Sequence, residues 1–77
     1  MKKFEVGKRY LVMKIEYGND VTAEIIKRTE KTVTVAMFPD SSKSRKVKRC
    51  KILNGSVEQI IFDEFTIFAN EEVENVI

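Results

Sequence analysis

The chain has 77 residues, 34% charged and 43% hydrophobic, with one cysteine and no histidine. That is enough for one small domain and too little for two cores; it excludes an intramolecular disulfide, a His-based triad or general base, and a structural zinc site. The net charge of +2 hides an asymmetry: all 14 Lys and Arg lie at or before Lys51 against 6 acids there (+8), while Ile52–Ile77 carries 6 acids and no base (−6).

Period two dominates the chain. Lys8–Ile15 reads as a first strand, closed by a turn at Gly18-Asn19-Asp20. Val21–Thr29 is a second strand in which Val21, Ala23 and Ile25 alternate before Ile26 changes face, so a bend is expected there. Glu30-Lys31 stands at hairpin-loop spacing, although neither residue is a turn former. Thr32–Phe38 (TVTVAMF) is dense in β-branched residues, whose stiff side chains suit a pleated surface, and it places Val33, Val35 and Met37 on one face. Pro39-Asp40-Ser41-Ser42 ends that ladder and opens a loop running to about Lys46.

The next strand, Lys46–Leu53, has Val47 out of phase with Cys50 and Ile52; a β-bulge near Lys48-Arg49 would bring all three to one face. Asn54-Gly55 predicts a two-residue type I′ turn into Ser56–Phe62, since both residues tolerate positive φ. Asp63-Glu64 ends that strand and Phe65–Ala69 follows. Beyond it, Val73, Val76 and Ile77 have helical spacing, with Asn70 placed to cap a single turn.

Short strands with tight connections predict an all-β fold: a small SH3-like barrel of five or six antiparallel strands with a short C-terminal helical turn, in one domain spanning residues 1–77. Its expected core is Val12, Ile15, Ile25, Val33, Val35, Cys50, Ile52, Ile60 and Ile67, with Phe62 or Phe65 closing one end. Cys50 reads as a small core residue, not a redox thiol, despite its basic neighbours. No apolar run approaches the length of a membrane span, and the Met-Lys-Lys start lacks the apolar stretch of a signal peptide, so a cytoplasmic product is expected.

Enzyme chemistry finds no footing. Gly7, Gly18 and Gly55 are the only glycines, so no phosphate-cradling loop is present, and neighbouring carboxylates on a strand such as Asp63 and Glu64 point to opposite faces. A non-enzymatic protein without cofactor or metal is expected. The acid-free run Ser41–Lys51 is the functional lead: Lys43, Arg45, Lys46, Lys48, Arg49 and Lys51 can neutralise phosphates, with Lys27, Arg28 and Lys31 added if their hairpin packs alongside. These nine residues are the candidate nucleic-acid-binding set. Two other readings stay open. The cations could simply guard an edge strand against sheet-to-sheet pairing. Alternatively, Glu58, Asp63, Glu64, Glu71, Glu72 and Glu74 could form an acidic face that docks on a host protein by mimicking phosphate, as in an anti-defence inhibitor. Self-association of basic strand on acidic tail is a further option.

The stretch Lys27-Arg28-Thr29-Glu30-Lys31-Thr32-Val33-Thr34-Val35, the basic Arg45-Lys46-Val47-Lys48 strand, the Gly-Ser-Val-Glu turn and the opening Phe4–Tyr10 (FEVGKRY) resemble a group of small all-β proteins encoded on bacterial phages and plasmids. The resemblance runs to about Ala69; those proteins commonly have a small residue at the position of Glu30, and their C-terminal ends differ from EEVENVI. It implies a mobile-element accessory protein, with no established activity to carry over.

Overall fold

The computed structural model describes residues 1–13 and 20–73. Ile15, Gly18, Asn19, Glu74, Val76 and Ile77, which figure in the expectations above, lie outside them. Eight strands are formed: β1 (Arg9–Met13), β2 (Val21–Arg28), β3 (Thr32–Met37), β4 (Lys46–Lys51), β5 (Leu53–Asn54), β6 (Glu58–Phe62), β7 (Phe65–Phe68) and β8 (Glu72–Val73). They build a five-stranded antiparallel sheet in the order β4-β3-β2-β1-β8 and a three-stranded one in the order β5-β6-β7. The all-β expectation is met, with more and shorter strands than the five or six read from the sequence. Among the described residues there is no helix, and so none long and apolar enough to cross a membrane. Most of the expected C-terminal helical turn lies outside the described residues; its described start, Glu72 and Val73, pairs instead with Tyr10 and Arg9, because the open edge of β1 offers backbone partners.

The chain passes from one sheet to the other through Ile52, and the two inner faces enclose a common core. Ile25, Val33, Val35, Cys50, Ile52, Ile60, Phe62 and Ile67 are all buried in it, as expected, whereas Val12 and Phe65 are only partly buried. Ala23, Met37, Ala69, Phe4 and Tyr10 also belong to it, the last two packed ring edge to face with centroids 4.9 Å apart. Phe4 precedes the first strand, where alternation gives no signal, whereas Tyr10 lies on β1 two residues before Val12, in the phase that points inward. The Tyr10 hydroxyl is not left bare, since it accepts the Glu5 N–H at 2.8 Å.

Two local expectations are corrected. The β3–β4 ladder runs without a register shift from Met37–Lys46 to Thr32–Lys51, so there is no bulge near Lys48-Arg49; Val47 faces solvent and Lys48 takes the inward position. Register shifts occur instead in β1, between Leu11 and Met13, and in β2, between Ile25 and Lys27, where the expected bend occurs and leaves Ile26 exposed. The β5–β6 hairpin pairs Asn54 with Glu58, so its loop is Gly55-Ser56-Val57 rather than a two-residue Asn-Gly turn, and Gly55 has no positive φ. The Glu30-Lys31 turn is as expected. Its closure comes from Thr29, whose hydroxyl accepts the N–H groups of Lys31 and Thr32 while its own N–H donates to the Thr32 carbonyl.

Candidate nucleic-acid interface

Alternation along the strands divides the nine candidate cations into separate groups. On β4, Cys50 points inward beside Val33, so Lys46 and Lys48 share the inward side while Val47, Arg49 and Lys51 face out. On β2, the bulge at Ile26 turns Lys27 outward and Arg28 inward. The register then aligns Lys27, Thr34 and Arg49 as one row across β2, β3 and β4 on the outer face of the larger sheet. Lys51 follows one strand repeat from Arg49, a spacing of about 7 Å, opposite Thr32. Lys27, Arg49 and Lys51 are exposed and make no ion pair among the described residues.

Lys43 and Arg45 stand on the loop before β4, exposed and likewise without an ion pair among the described residues. That loop is well held: Ser41 N donates to the Phe38 carbonyl at 3.0 Å, Arg45 N to the Ser41 carbonyl at 3.1 Å, and Ser44 N to the Ser41 hydroxyl at 3.0 Å. Lys31 lies at the opposite end of β4, where its carbonyl accepts the Ile52 N–H. The outward cations therefore form a band along β4, which is itself the edge of its sheet.

Lys46 and Lys48 belong elsewhere. Both reach Asp63 in the β6–β7 turn, at 3.6 and 2.9 Å, and the Lys48 ammonium lies 5.7 Å from the centre of the Phe62 ring. Lys48 holds the Asp63 carboxyl below its usual range, and Asp63 raises the Lys48 ammonium in turn. Beneath them the Cys50 thiol is buried, and burial pushes its pKa up, which keeps it in the unreactive thiol form.

Arg28 is a structural residue of the core margin. Its guanidinium donates to both Glu58 carboxylate oxygens, at 2.8 and 3.1 Å, to the Phe4 carbonyl at 2.6 Å and to the Thr29 carbonyl at 3.2 Å. Glu58 is 3% exposed and also accepts the Phe4 N–H at 2.8 Å. Arg28 is the main reason that the Glu58 carboxyl titrates below its usual range. By sequence alone Arg28 falls in the basic set and Glu58 in the acidic face, on opposite functional surfaces. A signal was available: Glu58 alternates in phase with Ile60 and Phe62, so it had to be an inward carboxylate in need of a cation. An open cleft of about 870 Å3 lies over the pair, rimmed by Lys2, Lys3, Glu5 and Glu30, whose mixed signs offer no single-signed surface.

The acidic set is dispersed as well. Glu58 is internal, Asp63 is held by lysines and Glu72 pairs with Lys8 at 3.3 Å, which leaves Glu64 and Glu71 exposed without an ion pair among the described residues. No group of three or more potential metal-ligating side chains comes together among the described residues. Comparisons with protein-family models, with curated proteins and with solved structures found no match to this chain.

Proposed function

We propose that the protein is a small non-enzymatic nucleic-acid-binding module, cytoplasmic and of the mobile-element accessory kind that its resemblance implies, which holds a phosphate backbone against the outer face of the five-stranded sheet. The single observation that supports this most is the row Lys27–Thr34–Arg49 with Lys51 beside it: three outward cations without acidic partners among the described residues, interleaved with threonine hydroxyls. Cations release condensed counterions when they meet phosphates, and hydroxyls add position without sequence information. Lys43 and Arg45, exposed on the loop before β4, and Lys31, exposed at its far end, flank that row. The host-protein alternative has less support, because three of its five described acidic residues, Glu58, Asp63 and Glu72, are engaged by the chain's own cations.

The test is a salt titration of binding. Each phosphate contact contributes about −0.9 to the slope of log K against log salt on a duplex and about −0.7 on a single strand. The triple variant K27Q/R49Q/K51Q should therefore flatten the slope by about 2 to 3 and weaken binding to every sequence alike. The double variant K46Q/K48Q, which touches lysines already committed to Asp63, should shift it by less than about one. Equal effects of the two variants, or none, would sink the proposal. A quicker sign comes from purification: with 2 tyrosines and no tryptophan, retained nucleic acid dominates the ultraviolet spectrum of a low-salt preparation and should vanish at high salt.

A further inference from the structure

Among the exposed large hydrophobic residues, Phe38 is the one that also has a positive φ. It has φ of 51°, in the left-handed region that bulky side chains avoid, and its side chain is left 43% exposed. Nothing in the core requires this, since β3 ends at Met37 and the ring does not belong to the buried cluster. The conformation is held in place by its surroundings: Pro39 follows, the Phe38 carbonyl accepts the Ser41 N–H, and Arg9 grips Asp40 through two bonds of 2.6 and 2.7 Å. Strain maintained by an over-determined loop, with a large apolar ring turned to water, points to a contact made outside the molecule.

The position of the ring suggests what that contact is. Phe38 and Arg45 stand at the two feet of the basic loop, one register step beyond the Met37–Lys46 pair. A groove of about 430 Å3 runs beside the ring, lined by Val21, Thr22, Pro39 and Ser41 together with Asp20 and Asp40; the Asp40 charge is already met by Arg9. Along β3, Phe38 is four residues from Thr34, a distance of about 14 Å, so ring and cation row lie within reach of a few consecutive nucleotides. A duplex hides the faces of its bases; a single strand presents them, and every base has a face that stacks on an aromatic ring.

Building on the nucleic-acid reading above, we propose that Phe38 is a base-stacking platform and that the ligand is therefore single-stranded. The experiment compares a fluorescent oligothymidylate with a hairpin duplex of equal phosphate count, using the parent, F38G, F38W and the triple variant K27Q/R49Q/K51Q. F38G should weaken single-strand binding by about 5- to 150-fold, the range of one base–aromatic stack, with the salt slope and duplex binding unchanged. Its melting temperature should hold or rise, because glycine adopts this φ without strain. F38W should bind the single strand at least as tightly as the parent. The inference is overturned if F38G melts well below the parent, if it weakens both ligands equally or neither, or if the parent prefers the duplex. In the last case, the nucleic-acid reading survives provided the triple variant still flattens the salt slope. If the parent binds neither ligand, both proposals fall.

Discussion

Replacing Arg28 with methionine should remove a large share of the stability of this domain. The substitution strands Glu58, whose carboxylate is only 4% exposed and keeps just the Phe4 N–H as a partner. Breaking a buried ion pair from one side costs about 3–5 kcal/mol. Because Arg28 itself is 21% exposed, water can reach the vacated site, which favours the lower end, about 3 kcal/mol. A chain of this length has a total stability of roughly 4–12 kcal/mol, so the loss is a quarter of it or more. With a urea slope of about 1 kcal/mol per molar, the unfolding midpoint should fall by about 3 M. E58Q should cost less, about 1–2 kcal/mol, since the amide still accepts from Phe4 and Arg28. The double variant R28M/E58L should cost well under the sum of its two single changes, leaving the Phe4 N–H and carbonyl without their side-chain partners at about 1–3 kcal/mol each where water does not replace them. The pH dependence follows from the direction of the Glu58 shift. A carboxyl held below its ordinary value of 4.5 contributes fully above that value, and the contribution is lost as pH falls through the depressed folded value. Acidification below about pH 4.5 should therefore destabilise the parent more than E58Q. An R28M midpoint within about 1 M of the parent, or additive single and double changes, would refute the reasoning.

Gly7 and Gly55 should respond differently to alanine. Gly7 has φ of 88° and its N–H donates to the Ile25 carbonyl, so G7A should cost about 1–2 kcal/mol through backbone strain alone. Gly55 lacks a positive φ, and an added Cβ would meet only the Gln59 side-chain amide at 2.8 Å, the far end of a flexible chain, so G55A should stay within about 0.5 kcal/mol. Equal losses in urea melts would restore the type I′ turn. Cys50 should resist thiol reagents at neutral pH until the domain unfolds, and C50S should cost about 1–2 kcal/mol by burying a hydroxyl; rapid labelling of the native protein would contradict its burial.

Much of this architecture is legible as parity. In an antiparallel pair without a bulge, every two partners have numbers with the same sum, and partners share a face. Cys50 and Ile52 face Ile60 and Phe62, all even, so their hairpin needs a loop with an odd number of residues; the observed Gly55-Ser56-Val57 loop obeys this, and the Asn-Gly signal does not override it. Across the Glu30-Lys31 turn odd residues pair with even ones, yet Ile25 and Val35 must share the core, so one residue has to be inserted between them. That residue is Ile26, at the bulge of β2.

The strands, most of the core and the basic half of the chain are legible in the residue order, because local alternation and β-branched density act within a few residues. Which cations remain available depends on long-range packing. Val47 and Lys48 compete for the inward side of β4, and local pattern favours valine. The fold chooses lysine because β6 and the turn after it bring the Phe62 ring and the Asp63 carboxylate against its stem and ammonium. Arg28 finds Glu58 thirty residues away for the same kind of reason. A charge cannot be read as free or committed until distant segments have packed, since the partner that neutralises it is chosen by the fold and not by its neighbours in the chain.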